Sequence, residues 1–381
     1  MRKSLKLSLR REYGPNWRIR IAGQSFVFVA DPKTLDAFFR NRSGGLILDE
    51  IQDLAPRQIG GVQSRGVAGG VIAETLIPII VKGNADASLC RFIPDYNNEL
   101  HQYLLRTHSM AVSNGPVSLK HLTSHSLFHC AQIAVFGNTF PVHIYEDYVC
   151  IDNSSHRLLH YIPVFSSSVS CSRERMCAAI KTFMDPWRGT EGIRDIDGVS
   201  PYANDILRAL VQSDLSDDDQ AALFLTYIWG SNTNVGRVLF WLFAHLLCDK
   251  AAYARLQTEI DNAVQNEFGG ELESLLMAHP RVISGPRFEL LDSALKESLR
   301  LHELPMSHRT AEVEVELPSG RGESLWVLPG DHVMANVTAV HWDGARFQDP
   351  QRFAVDRFVG NAKSHSLYSW GKGAHIVRQL N

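Results

Sequence analysis

The sequence predicts a mainly α protein with small β-sheets, and three stretches carry that expectation. Leu290 to His302 reads LLDSALKESLRLH, with Leu290, Leu291, Ala294, Leu295, Leu299 and Leu301 at helical spacing, so one face is buried. Ser216 and Asp219 form a capping box ahead of AALFLTYIW. The same helix continues as VLFWLFAHLLC, apolar on nearly every side and therefore expected to be central and buried. Near the start, Trp17, Ile19 and Ile21 alternate with Arg18 and Arg20, and Phe26 to Val29 follows a turn at Gly23, which makes a hairpin.

Composition narrows the class. At 381 residues, 45% hydrophobic and 21% charged, the chain can bury a large core as an ordinary globular protein. A net charge of −3 gives no bulk attraction to nucleic acid, so no such partner is expected. The six cysteines (Cys90, Cys130, Cys150, Cys171, Cys177, Cys248) show no C-x-x-C and no metal spacing. They read as reduced core thiols of an intracellular protein. No segment reaches the roughly eighteen uninterrupted apolar residues of a spanning helix. Gly70 to Val81 is too short, and Ala221 to Cys248 is broken by Gly-Ser-Asn-Thr-Asn. The opening MRKSLKLSLRR is basic and acid-free, and reads as the remnant of an amphipathic helix rather than a transit peptide.

Between these stretches the elements follow local chemistry. Asp31 caps a helix with Pro32 at its first position, running through LDAFF. Gly60 to Gly70 is glycine-rich but has no Gly-Lys-Ser/Thr at its end, so it is a mobile surface loop rather than a phosphate loop. A helix is expected from Asn97 to Ser109. His121, His125 and His129 stand four apart on one helical face, a spacing that can ligate zinc. Without an acidic residue inside the run, a partly buried polar face is the plainer reading. Residues 150–190 alternate polar and apolar helical turns without a motif. Gly230-Ser231-Asn232-Thr233-Asn234 places four polar side chains inside the long helix, where small-residue packing with satisfied hydroxyls accounts for them. Ala311 to Leu317, AEVEVEL, alternates as one strand before a turn at Leu328-Pro329-Gly330-Asp331.

Glu297 and Arg300 stand three apart on one side of the Leu290–His302 helix. Alone they amount to a surface ion pair worth under about 1 kcal/mol. Their order with later segments gives them weight. Arg309 follows in SHRTA, then come Trp342-Asp343, Phe347-Gln348-Asp349-Pro350, Phe353, Asp356-Arg357-Phe358 and Trp370-Gly371-Lys372-Gly373. This series resembles the cytochrome P450 superfamily from its K helix to the edge of its haem-binding loop. The hairpin and D-P helix extend the resemblance from near Glu12 over nearly the whole chain.

The resemblance implies the cytochrome P450 fold as a single domain over 1–381, with haem b as cofactor. It implies that Glu297, Arg300 and Arg357 form a buried three-way ion network. Arg309 and His375 match positions that hold haem propionates, and Trp370, Gly371 and Gly373 would shape the loop beneath the ring. Where the family carries Trp-x-x-x-Arg, Arg106 is the substitute. Asn232, Thr233 and Asn234 match the step where the family's central helix kinks to open an oxygen-binding groove; Asn232 replaces the usual acid and Thr233 is retained. W-G-S-N-T-N followed by Phe240-Trp241, together with K-E-S-L-R-L and R-T-A, is similar to the sterol 7α- and 12α-hydroxylase and prostacyclin synthase branch. Fungal enzymes of secondary metabolism share many of these features.

The family's haem loop ends in a Cys whose thiolate binds iron and favours O–O cleavage. Tyr368 to Ile376 tracks that loop, and Val377 occupies the Cys position, so no residue is assigned as metal ligand. The proximal helix and the N-terminal anchor of the family have no match, so the sequence is expected to be incomplete at both ends. Val377-Arg378 can be encoded by a sequence like the start of an intron, which points to an unspliced or misjoined transcript.

The resulting expectation is a haem-dependent monooxygenase acting on a hydrophobic small molecule such as a sterol, lipid or secondary metabolite, inactive as written. NADPH-cytochrome P450 reductase would be its electron donor. The resemblance implies the endoplasmic reticulum membrane, or the cytoplasm if the chain is expressed without an anchor. One alternative is an isomerase of the prostacyclin synthase type, which needs no electrons. Another is a non-catalytic lipid-binding remnant, separable by its haem content. A zinc hydrolase built on the three histidines is the third, separable by metal analysis.

Overall fold

The computed structural model describes residues 14–21, 23–41, 44–47, 54–64, 67–83, 86–159, 167–188, 195–276, 285–302, 307–320, 322, 324–360 and 367–368. It divides into two compact units, one formed from Met1–Ile51 with Glu289–Gln379 and the other from Gln52–Phe288.

The first unit opens on the hairpin β1 (Asn16–Ile21) and β2 (Gln24–Val29), paired so that Ile21 faces Gln24. Gly23 closes the turn at φ +83°, a conformation an L side chain resists. Trp17 stacks on its cross-strand partner Phe28 at 3.9 Å between ring centroids, the kind of pair that fixes register. Asp31 then caps α1 (Pro32–Arg40), accepting from the amides of Lys33 and Thr34 at 3.1 Å, with Pro32 in the first turn. Leu35, Phe38 and Phe39 are the buried side of α1. Asn41 ends it in a left-handed conformation and grips both backbone groups of Leu46 in the short strand β3 (Leu46–Ile47).

Far along the chain, β4 (His308–Ala311), β5 (Val315–Leu317), β6 (Leu325–Val327) and β7 (His332–Ala335) complete two sheets. The larger has the order β1-β2-β7-β4-β3, with β2 and β7 parallel and the remaining pairs antiparallel. The smaller pairs β5 with β6. The single strand expected over Ala311 to Leu317 is therefore two strands in two sheets. A bend at Glu312 and Val313 separates them, just past the last β3–β4 bond, from the Glu312 amide to the Gly45 carbonyl. Val27, Val29, Leu35, Phe38, Val333 and Val340 make the core of this unit.

The second unit is helical. Its main members are α2 (Asp86–Asn114), α3 (Leu119–Phe136), α4 (Tyr145–Leu158), α5 (Ser167–Met184), α6 (Pro201–Val211), α7 (Asp217–Cys248) and α8 (Lys250–Glu267). Ser118, Ser200, Ser216 and Asp249 supply side-chain caps to α3, α6, α7 and α8. Phe136 meets Phe224 edge-on at 5.1 Å within a core that joins α3, α4, α5, α6 and α7.

Three sequence expectations change here. Helix α7 runs through Gly230 to Asn234 as the one helix expected, but it is not buried throughout. Its first half is buried on most sides, but beyond Gly236 the helix buries only the stripe Val238, Leu242 and Leu246, leaving Trp241, Phe243 and Leu247 exposed. Uniform apolarity marks a helix that can be buried, while packing decides how much of it is. The glycine-rich stretch is not a free loop over its first residues. Gly60 lies against α7 so closely that a Cβ there would sit 2.3 Å from the Ala222 carbonyl oxygen. Arg173 holds the carbonyls of Gln58 and Ile59, and Asp219 holds the amides of Gln63 and Ser64 at 2.7 and 3.1 Å. Finally, Cys171 and Cys248 are exposed, so not all the cysteines are core thiols.

Candidate functional site

Helix α9 (Glu289–His302) packs Ala294, Leu299 and Leu301 into the first unit, along with Ser293, Glu297 and Arg300. Leu295, expected inside, is exposed. The buried arc is centred on the row 293, 297, 300, and the polar groups lie inside because each finds partners there. Glu297 and Arg300 have no exposed side-chain surface. Arg300 donates Nε to Glu297 Oε2 at 2.7 Å and Nη2 to Glu297 Oε1 at 2.9 Å, and Arg357 donates Nε to the same Oε1 at 2.9 Å. The Ala354 amide adds a fourth bond to the carboxylate at 3.1 Å.

The outer faces of the two guanidiniums are occupied as well. Arg300 Nη1 donates to the carbonyls of His341 and Pro350, and Arg357 Nη1 donates to Gln348. Phe358 and Gly360 donate their amides to Ser293 Oγ and Glu289 Oε1. The network therefore fastens the irregular segment 341–360 onto α9, with both guanidiniums sharing one carboxylate and nearly all donors satisfied.

His341, at the end of α10 (Val337–His341), connects this segment to Tyr368. Its Nε2 accepts the Tyr368 amide at 3.1 Å, so Nδ1 carries the proton. Burial, then the charges of Arg300 and Arg346, lower its pKa to about 3. Tyr368 stacks on Phe39 and donates its hydroxyl to the Pro32 carbonyl at 3.2 Å.

Arg309 is buried on β4, donating Nη1 to the Phe38 carbonyl at 2.6 Å with its guanidinium 4.8 Å over the Phe38 ring. Burial lowers its pKa, and among the described residues it has no carboxylate partner. Arg106 is exposed on α2, with its charge near His129. Trp370, Gly371, Gly373, His375 and Val377 lie outside the described residues.

In the second unit, Asn232, Thr233 and Asn234 part company. Asn232 and Thr233 are buried, while Asn234 is exposed, as successive helical residues 100° apart must diverge. Asn232 Nδ2 donates to the Ile228 carbonyl at 2.7 Å. Thr233 donates Oγ1 to Asp152 Oδ1 at 2.9 Å, across to α4. Trp229 and Arg237 also donate to that oxygen, each at 3.1 Å. Sequence reasoning missed this cluster. Its trace was there: Trp229, Thr233 and Arg237 are four apart on α7, and Tyr148 and Asp152 four apart on α4.

The histidine run on α3 gathers aromatic rings. His121 and His125 stack at 4.8 Å, His125 and His129 at 5.9 Å, and His125 Nδ1 lies 2.9 Å from the Tyr103 hydroxyl. Among the described residues no group of three His, Cys, Asp or Glu is arranged to hold a metal ion. Burial, then the neighbouring His121 and His129, lower the pKa of His125 to about 4.

Comparison with known proteins agrees with the ion network's sequence context. The cytochrome P450 family model matches residues 1–376. Human prostacyclin synthase is 25% identical over 45% of this chain and 35% of its own length. The rabbit (Oryctolagus cuniculus) 7-alpha-hydroxycholest-4-en-3-one 12-alpha-hydroxylase is 22% identical over 97% of this chain and 76% of its own length. Cytochrome P450 7A1 of the same animal is 22% identical over 66% of this chain and 50% of its own length. The match spans both compact units, and with it the Glu297–Arg300–Arg357 segment and the Thr233 helix: the chain belongs to the cytochrome P450 family.

Proposed function

We propose that this chain is a haem-dependent monooxygenase of a rigid hydrophobic substrate of the sterol type, and that its two units belong to one catalytic domain over 1–381. The family model running through both units supports the single domain. The match to a sterol 12α-hydroxylase over 97% of the chain carries the substrate class. Haem, when bound, supplies the activation of oxygen that no amino-acid side chain provides.

Residues of the chain would hold and orient the group. Arg309, a buried cation with no carboxylate among the described residues, fits a carboxylate of the haem edge. Glu297, Arg300 and Arg357 would act at one remove, by fixing the segment that leads to Tyr368 and the loop after it. Trp370, Gly371, Gly373 and His375 are assigned to that loop by resemblance, and Arg106 to a haem propionate. At Val377, however, a hydrocarbon side chain offers no lone pair to a metal. This position therefore supplies no axial thiolate.

Electrons would come from a flavoprotein of the NADPH-cytochrome P450 reductase type, at the endoplasmic reticulum membrane where such a donor resides. No helix among the described residues is long and apolar enough to cross a membrane.

The deciding experiment is haem loading of the purified chain, followed by the carbon monoxide difference spectrum and turnover of sterols with reductase and NADPH. The chain with Val377 is expected to lack the red-shifted band of a thiolate complex, and Val377→Cys within a family-like loop is expected to gain it together with sterol oxidation. Conversion of an endoperoxide without electrons would favour the isomerase reading, prompted by the prostacyclin synthase match. Failure of the Cys-bearing chain to take up haem would leave lipid binding as its role.

A further inference from the structure

Two rows of residues spaced by four meet where α4 crosses α7: Tyr148 and Asp152 on one helix, Trp229, Thr233 and Arg237 on the other. Asp152 Oδ1 accepts from Trp229 Nε1 at 3.1 Å, Thr233 Oγ1 at 2.9 Å and Arg237 Nη2 at 3.1 Å. A hydroxyl has one proton to give. With Thr233 giving its proton to Asp152, the contact between the Tyr148 and Thr233 hydroxyls, at 3.2 Å, has Tyr148 as donor. The hydrogen bonds therefore run one way, from a buried phenol through Thr233 to a carboxylate. Arg237, at the solvent end with 56% of its side chain exposed, supplies the balancing charge.

Packing alone does not call for this arrangement. Two helices are joined at least as well by apolar side chains, and partly buried charge costs solvation that only good partners offset. What a charge adds is direction: a fixed acceptor orients every hydroxyl bonded to it. Burial, and after it the Asp152 charge, pushes the Tyr148 phenol above its usual range, in keeping with their closeness.

We propose that Asp152 is the acid partner of Thr233, supplied by α4 in place of the carboxylate that α7 lacks at Asn232. It is a positioning residue: it fixes which way the Thr233 hydroxyl points and, through it, the Tyr148 hydroxyl. Its consequence for oxidation rests on the monooxygenase reading above, whereas the pairing itself does not.

The test uses the full chain with tyrosine labelled by carbon-13 at Cζ, in the parent and in Asp152→Asn, Asp152→Glu and Thr233→Val. The Tyr148 resonance, assigned with Tyr148→Phe, is expected to move in Asp152→Asn and in Thr233→Val and to stay near the parent position in Asp152→Glu. Amide exchange over residues 229–237 is expected to rise about tenfold in Asp152→Asn, as local opening becomes easier. In the haem-loaded chain with Val377→Cys, electrons consumed per product should rise several-fold in Asp152→Asn with substrate binding unchanged, as for a threonine hydroxyl that has lost its fixed orientation. An unmoved Tyr148 resonance in Asp152→Asn overturns the proposal, and so does unchanged coupling in an active variant. A chain that takes up haem in no form overturns the monooxygenase reading instead, while the resonance and exchange still decide the Asp152–Thr233 pairing.

Discussion

Arg300 meets Glu297 through two hydrogen bonds, 2.7 and 2.9 Å long, with neither side chain exposed to solvent. Such a pair is weak evidence of net stability, because both charges gave up water to form it. Its value lies in what it organises. Removing one partner is a different matter, since the other charges stay buried.

Glu297→Ala leaves Arg300 and Arg357 facing each other without an acceptor between them. Breaking a buried network of this kind costs about 3–5 kcal/mol. We expect loss of soluble protein, or an unfolding midpoint in urea lowered by that amount. A variant as stable as the parent would show that the network contributes little to holding segment 341–360.

Gly60→Ala places a methyl group 2.3 Å from the Ala222 carbonyl oxygen and 2.4 Å from Thr226 Oγ1. Neither the helix backbone nor the hydroxyl, which itself bonds the Ala222 carbonyl, can move away freely. Overpacking at such a contact costs about 1–3 kcal/mol. Thermal unfolding measures it, and an unchanged melting temperature would mean that the Pro56–Gly60 turn stands off α7.

The Asp219 carboxylate is pulled in two directions. Burial alone would raise its pKa, but hydrogen bonds from Ser64, Gln63 and Ser216 outweigh burial and lower it. A carboxylate with a lowered folded pKa stabilises the fold above its unfolded value of about 4, and the contribution fades as pH falls below that. Asp219→Asn should therefore loosen the Gln63 and Ser64 amides at neutral pH, and its difference from the parent should shrink as pH falls below about 4, as read by hydrogen exchange. Equal exchange at neutral pH would refute the clamp.

His341 has the same sign of pH dependence for a different reason, since burial disfavours its charged form. It stays neutral in the fold down to about pH 3, whereas the unfolded chain takes up the proton at about 6.5. Stability from this group is complete above about pH 6.5 and is lost toward pH 3, by about 1.4 kcal/mol per pH unit. His341→Gln, which keeps an acceptor for the Tyr368 amide, should flatten the acid limb of the urea stability curve. Parallel curves for the two proteins would show that His341 is solvated.

What the sequence determined by itself is what local chemistry controls. The Gly23 turn, the Asp31 cap with Pro32, the Ser216 cap and the α9 periodicity depend on neighbours a few residues away, and each can be read without coordinates. The ordered segments from Glu297 to Arg357 were legible for the same reason, as short motifs in fixed succession. Tertiary structure decided everything that depends on a distant partner. Leu295 had the right period for the core, but Arg300 took the buried arc because Glu297, His341 and Pro350 offered it acceptors. The glycine-rich stretch read as mobile because its tethers, Arg173 and Asp219, lie more than a hundred residues away. Thr233 and Asn234 are adjacent in sequence, yet one is bound to Asp152 and the other faces outward, since a helix turns each residue away from the last. Spacing fixes which residues share a face, and only packing fixes what that face meets.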